Sequence, residues 1–341
     1  MKTKTFLAIW PVLMVLGCEP EVPTPLLPPK IETLAATNVT FHSAVIGGRI
    51  LDLGNEPMIR KGIVWIAAHL DTPEEFNNSN LSIRNNVIEA SDLGPAFTVL
   101  MDSLNPNQTY YFRAFAESRA GVAYGQKMKF TTKFETLTDI DGNVYRIWKI
   151  GNQTWTIDNF NATRLRDGTP IPNRTELSYW SSSAPKEPAM CWYNNNRAAF
   201  QKDHGALYNW YAASHPLIAP AGWRVPTFND YLKLAIHLGA IVSGPNATWR
   251  VGGKLKMTGF DFWKAPNTGA TNESLFSAKA SGGVSGTHGF EALHEGTVFF
   301  TQEEDFNFGL TMVLLYNDNQ LHLGYIYPKN LGFSLRLIKN E

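Results

Sequence analysis

The sequence predicts a multi-domain chain: an all-β sandwich followed by an α+β domain with two helices and a long loop region. Two observations lead to this. Between Lys30 and Lys133, short runs alternate apolar and polar residues and are separated by turn clusters, the pattern of antiparallel strands. Later, Gly205–Gly239 (GALYNWYAASHPLIAPAGWRVPTFNDYLKLAIHLG) reads as a helix, a Pro-broken loop carrying Trp223 and a second helix, with aromatic-rich strand patterns on either side. A length of 341 residues fits two domains.

Composition narrows the function classes. Hydrophobic residues make up 44% and charged residues 18%, which is ordinary for a globular chain. Thirty Lys and Arg balance thirty Asp and Glu. Without residues 1–17, which hold Lys2 and Lys4, the balance is 28 against 30, a net charge of −2. A nucleic-acid partner would call for a basic face, and none is indicated. Two cysteines, Cys18 and Cys191, make no disulfide framework. Cys191 reads as a small buried apolar residue.

At the start, Lys2 and Lys4 precede the apolar run Phe6–Leu16. A charged start, a short apolar core and small residues before a cut describe a signal peptide over residues 1–17. The run is shorter than the ~20 apolar residues of a spanning helix. Val15-Leu16-Gly17-Cys18 resembles a bacterial lipobox. That resemblance implies a lipidated Cys18 and a membrane partner reached through the lipid anchor. Glu19, where Asp is often linked to inner-membrane retention, favours the outer membrane. Residues 18–29 hold five prolines between Pro20 and Pro29, so a stiff, extended Pro-rich tether is expected there.

Residues 30–133 form the expected sandwich. Ser43–Ile50, Gly62–Ile66 and Phe97–Leu100 are short alternating runs, with turn residues at Asp52–Pro57. In the run after Thr109, Tyr110, Phe112, Ala114 and Ala116 share one face, and Tyr111, Arg113 and Phe115 the other. Ala120-Gly121 marks a hairpin and Lys127–Thr132 the closing strand. Leu104, Pro106, Thr109, Tyr110, Arg113, Ala116, Gly121, Gly125, Phe130 and Thr132 together resemble a fibronectin type III domain of the bacterial extracellular kind. The resemblance implies a spacer or adhesive module, with Tyr110 as the sandwich-corner tyrosine.

Residues 136–341 form the second domain. Asp141-Gly142-Asn143 and Gly151-Asn152 are turn signals around strands at Val144–Ile150 and Gln153–Ile157. Asn161–Arg197 is a long irregular region whose aromatics argue for partial burial. Leu207, Trp210, Tyr211 and Ser214 recur at three and four residues, giving a helical stripe that His215-Pro216 stops. In the second helix, Thr227 is the N-cap and Asp230 sits near the positive end. Phe228, Tyr231, Leu232, Ala235 and Leu238 form its expected buried face, and Gly239 its left-handed cap. Leu331–Ile338 alternates like a final strand.

A set of motifs runs in order through this domain: Asp141-Gly142-Asn143-x-Tyr145, Ile150-Gly151-Asn152-Gln153-x-Trp155, Asp167-Gly168-Thr169-x-Ile171-Pro172, Cys191-Trp192-Tyr193-Asn194-Asn195, Gly205–Ala212, Pro220-x-Gly222-Trp223-x-Val225-Pro226, the loop Pro266–Ala278 and Gly332-Phe333-Ser334-x-Arg336. They resemble the Fibrobacter succinogenes major paralogous domain of secreted and surface lipoproteins. The family looks distantly C-type lectin-like, including the formylglycine-generating branch, and brings no common activity with it. Family members often carry cysteines where this chain has Ala219 and Leu337. Cys191 therefore lacks those partners, which weakens any copper–thiol chemistry carried over from the formylglycine relatives.

The candidate chemistry follows from residue types. Asn267, Asn272 and Glu273 are hard oxygen donors in one polar loop, either a calcium site or turn-bracing side chains. Trp180, Trp192, Tyr193 and Trp263 are candidate platforms for a glycan or protein ligand, or braces for their loops. Trp148, Trp155, Trp210 and Trp223 are expected in the core. Cys191, Asp203 and His204 lie close in sequence, but nucleophilic catalysis is defined by geometry. No two histidines stand at zinc-ligand spacing on one helix. The sequence thus implies a non-catalytic binding or adhesive lipoprotein of the cell envelope, with no cofactor beyond that calcium. The alternatives are a structural part of an envelope complex and an enzyme of unknown chemistry.

Overall fold

In a computed structural model, the structure describes residues 24–68, 81–84, 86–92, 94–181, 183–243 and 249–341. The signal segment 1–17 and the lipidation site Cys18 lie outside them. The chain divides into two compact units, one ending at Lys133 and the other starting at Phe134. Both are mostly β-sheet.

The first unit contains β1 (Lys30–Thr37), β2 (Ala44–Asp52), β3 (Met58–Ala67), β4 (Asn86–Glu89), β5 (Ala96–Met101), β6 (Thr109–Ser118), β7 (Gly121–Tyr124) and β8 (Met128–Thr131). They form two antiparallel sheets. One has the order β1-β2-β5; the other has β4-β3-β6-β7, with β8 also on β6. Alternation along β6 works as its sequence dictates. Tyr110, Phe112, Ala114 and Ala116 enter the core between the sheets, while Phe115 packs in a separate cluster with Val64 and Leu81. The Tyr110 hydroxyl accepts a hydrogen bond from the Asn105 amide at 2.9 Å, the tie of a sandwich-corner tyrosine. The end of the Pro-rich stretch is part of this unit. Asn55 binds Leu27 N at 2.7 Å and Pro25 O at 2.9 Å through its side-chain amide, and its backbone N–H reaches Leu27 O.

The second unit opens with β9 (Glu135–Thr138), β10 (Val144–Ile150) and β11 (Gln153–Thr156). These make two successive hairpins, with Gly142 and Gly151 at positive φ in their turns. The irregular region after them carries β12 (Met190–Cys191) and α1 (Arg197–Phe200). The stripe from Leu207 to Ser214 is not one helix. Leu207–Tyr208 is strand β13, paired with β12, and only Trp210–Ala213 (α2) is helical. The Asn209 side chain accepts from Ala212 N at the start of that turn, so the helix begins where the side-chain cap stands. After β14 (Trp223–Arg224), α3 (Phe228–His237) has the capping box of Thr227 and Asp230. Gly239 follows it at φ +97°. Its most deeply buried positions include Tyr231, Leu234 and Ala235, whereas Phe228 and Leu232 are only partly covered. Tyr231, Ala235 and Leu238 are buried as the sequence predicts, and Leu234 is buried in place of the expected Leu232. A one-turn helix, α4 (Gly252–Leu255), precedes the second sheet.

The second sheet is β15 (Ser281–Ser285), β16 (Gly289–Leu293), β17 (Gly296–Asp305), β18 (Phe308–Leu315) and β19 (His322–Pro328), in the order β16-β15-β17-β18-β19. The first sheet has the order β14-β20-β11-β10-β9, where β20 is Ile338–Lys339. The segment leading to β20 departs from the alternation of its sequence. Gly332 to Ile338 is buried at every position and runs as a thread through the unit. It bridges Val284, Tyr208 and Phe299 in turn before pairing with Trp155 and Arg224. A strand covered on both faces cannot show the two-residue pattern of a half-exposed one.

Arg336 sits in this thread with 1% of its surface exposed. Its guanidinium donates to Asn159 Oδ1 (2.7 Å), Thr156 O (2.9 Å), Phe276 O (3.0 Å) and Ser277 O (3.3 Å). The Phe276 and Phe299 rings flank it at 4.7 and 5.5 Å. Asn159 in turn donates to His204 O, Ser281 Oγ and Ser334 Oγ. A buried cation is tolerated only when its donors are used, and here carbonyl oxygens take them. Arg336→Met would strand these acceptors in the interior. It should cost the second unit about 3–5 kcal/mol in chemical denaturation, and an unchanged midpoint would refute the role given to this network.

Candidate functional site

The aromatic side chains expected to form a ligand platform are buried. Trp180 and Trp263 are 0% exposed, Trp192 5% and Tyr193 7%. Their polar edges face inward: Trp180 Nε1 donates to Arg174 O, Trp192 Nε1 to Asn161 Oδ1 and Trp263 Nε1 to Ala278 O. A ring with its face covered and its N–H satisfied internally has nothing to offer a ligand, so the platform reading is corrected to one of bracing. The Trp263 ring also stacks beside the sealed ammonium of Lys256, 5.3 Å away. That ammonium donates to the carbonyls of Thr268, Leu315 and Asp318 at 2.7–2.9 Å, and burial lowers Lys256 to about 8.

Two of the three oxygen donors of the 267–273 loop, Asn272 and Glu273, are committed elsewhere, while the Asn267 side-chain oxygen is buried without a partner among the described residues. Asn267 is buried and donates to Met257 O and Gly259 O. The Asn272 side-chain oxygen accepts from Ser277 N, and Glu273 pairs with Lys254 at 2.9 Å. Among the described residues, no group of three or more His, Cys, Asp and Glu is arranged to hold a metal. The loop is braced by its own side chains, so the calcium assignment has no converging donor set.

Cys191, Asp203 and His204 likewise have separate surroundings. Cys191 is buried in an apolar cluster with Trp180, Tyr193, Leu207 and Val284, where burial pushes its thiol pKa up. Asp203 pairs with Lys279 at 2.9 Å. His204 Nδ1 lies 3.3 Å from Ser281 Oγ, but that serine is fully buried. Burial, with the nearby Lys279 and His294, pulls His204 down to about 4.

The concave feature with an apolar floor and an open rim lies elsewhere. β15 meets β17 at a single parallel rung, Gly282 with Thr297, and then leaves it as the thread enters between them. The gap is a slot of about 160 Å³. Gly283, Val298, Val313, Tyr327, Leu331 and Phe333 line it. Gly283 has to be glycine, because a Cβ there would stand 2.6 Å from the Phe333 ring. Glu291, Ala292 and Leu315 are exposed and make the rim. A cavity of this volume matches one benzene-sized group.

Two of the sequence-selected aromatics, Tyr193 and Trp180, pack beside slot residues. Tyr193 approaches Gly282, and Trp180 approaches Gly332 beside Val284. The slot residues themselves escaped sequence reasoning. Their available signal was the Gly282-Gly283 pair inside a strand-like run, which marks close backbone approach.

Fold and site define a two-unit, mostly β protein whose first unit is a sandwich of two antiparallel sheets and whose second carries a small apolar slot. Residues 148–339 match the Fibrobacter succinogenes major domain, more than half of the chain, and the protein belongs to that family. No curated protein matches it. Among solved structures, the sensor domain of the anti-sigma factor RsgI4 of Pseudobacteroides cellulosolvens is similar at 19% identity over 31% of this chain and 96% of that one, with a TM-score of 0.23. A fibronectin type III domain from human KIAA0970 is similar at 14% identity over 35% and 83%, with a TM-score of 0.22.

The buried histidine makes a pH test. His204 binds its proton more weakly when folded than when unfolded. Its stabilising contribution is therefore complete above about pH 6.5 and is lost as pH falls towards 4. Relative to His204→Leu, the native chain should lose up to roughly 3 kcal/mol across that window in denaturant titrations; parallel losses in the two proteins would contradict this.

Proposed function

We propose that this protein is a lipid-anchored component of the bacterial outer membrane that binds a ligand in the slot of its second unit without transforming it. The observation that carries the reading is the slot itself, an apolar recess with one carboxylate, Glu291, at its rim, the makeup of a small binding site. Support for binding rather than catalysis comes from the most plausible nucleophiles. The Cys191 thiol is buried with a raised pKa, and Ser281, beside His204, is sealed inside the network around Asn159. The slot would work without a metal or cofactor.

Anchoring through Cys18 rests on the lipobox-like run that ends there, and the fibronectin type III-like unit would act as the stalk. The lectin-like reading of the second unit is supported by its early strands β10 and β11 sharing a sheet with its last strand, β20. The ligand on this reading is a protein or glycan partner presenting one ring-sized group, and nucleic acid is not among the partners.

Two experiments test this. Metabolic labelling with a palmitate analogue should mark the protein, and Cys18→Ser should abolish the mark; an unlabelled wild type would end the anchoring reading. For the slot, Gly296→Val adds a side chain at the rim, where the nearest atom is the movable Leu315 Cδ2 at 3.2 Å. Wild type should retain peptide or glycan ligands on an array, and Gly296→Val should lose them by about tenfold, near 1.4 kcal/mol. Equal retention by the two proteins would remove the slot from consideration.

A further inference from the structure

The slot has a charged rim whose sign selects its ligand. Glu291 stands directly opposite Gly283 in the β15–β16 ladder. Residues opposite one another in an antiparallel pair project to the same face. The face of Gly283 is the one packed against Phe333, so Glu291 leaves the ladder on the slot side. It is exposed, and no ion pair to it occurs among the described residues. Three lysines of the second unit have other partners: Lys264 is bound to Glu295, Lys279 to Asp203 and Lys329 to Glu304. No Lys or Arg lines the slot. Tyr327 is half-buried on the slot wall, and burial, followed by Tyr325 and then the Glu291 charge, raises its pKa. Its phenol therefore stays neutral and can accept or donate a hydrogen bond at the mouth.

Resting on the slot as the binding site, we propose that its ligand is an apolar ring-sized group bearing a cation a few bonds away, an arylalkylammonium in chemical terms. The ring fills the space between Val298, Val313 and Phe333, and the ammonium sits at the rim beside the Glu291 carboxylate. A neutral or anionic counterpart fills the same space without that attraction. The contact is at the surface, so it is screened by salt and modest in size. Such a group occurs as a free aromatic amine and as the first residue of a peptide with a free amino terminus.

The experiment uses the full chain and three probes followed by calorimetry or ligand-observed NMR: benzyl alcohol, benzylamine and the tripeptide amide Phe-Gly-Gly. Benzylamine should bind about threefold more tightly than benzyl alcohol at low salt. Glu291→Gln, an exposed change, should erase that preference and leave benzyl alcohol unaffected. Raising salt from about 10 mM to about 0.5 M should do the same. Gly296→Val should weaken all three probes. Tripeptide binding at least as tight as that of benzylamine identifies a chain terminus as the source, and weaker binding identifies a free amine. Equal binding of the alcohol and the amine by wild type, or a preference that survives Glu291→Gln, overturns the charge selection while leaving the slot in place. Failure of every probe overturns the slot reading and this inference with it.

Discussion

A guanidinium bonded to carbonyl oxygens rather than to a carboxylate holds the second unit together. Arg336 is surrounded by oxygens from two separate stretches: Thr156, which ends β11, with Asn159 just after it, and Phe276 and Ser277 ahead of β15. Only Thr156 belongs to a strand, and these carbonyls would otherwise be buried without donors. One planar group with five N–H donors satisfies several at once, a task a lysine could not match in geometry. Burial lowers the Arg336 pKa to about 10, still far above physiological pH, so the charge is retained and the oxygens must stay where they are. Asn159 extends the network to His204, Ser281 and Ser334, and the thread is thereby fixed to both sheets.

The slot is a by-product of that fixation. The thread enters between β15 and β17, so these strands cannot stay paired beyond the Gly282–Thr297 rung. Phe333 arrives with the thread and covers Gly283, and the space left over has no side chain to fill it. Glycine at 283 and 296 keeps it open from two sides. The concavity thus comes from the way the last strand is accommodated, and its floor is part of the core, which makes it rigid. Such preorganisation limits the ordering cost of holding a ligand.

Local rules were legible in the sequence. The Thr227 cap with Asp230, the glycine ending α3, the hairpin turns at Gly142 and Gly151 and the two faces of β6 each depend on a few neighbouring residues. Features set by distant packing were not. Leu207, Trp210 and Tyr211 have helical spacing, yet Leu207 pairs with Cys191 in a ladder that nothing nearby specifies. Leu335 and Leu337 look like one face of a strand beside polar Ser334 and Arg336, but all four are interior. Trp180, Trp192 and Trp263 sit in polar loops that suggest exposure, and their burial is decided by the strands that close over them. The slot draws on six elements between Gly283 and Phe333, so no contiguous pattern announces it.

Strand β11 and the chain's last strand are partners, and the Leu337 amide bonds Thr156 Oγ1 across 181 residues. Loop-closure entropy must be met before such a distant contact contributes anything. During synthesis the early hairpins therefore have no partner on the β11 side until Ile338 has been made. The sandwich before Lys133, closed by contacts within its own hundred or so residues, can mature first. The second unit spends translation as an open, aromatic-rich chain, the state in which chaperones find their clients.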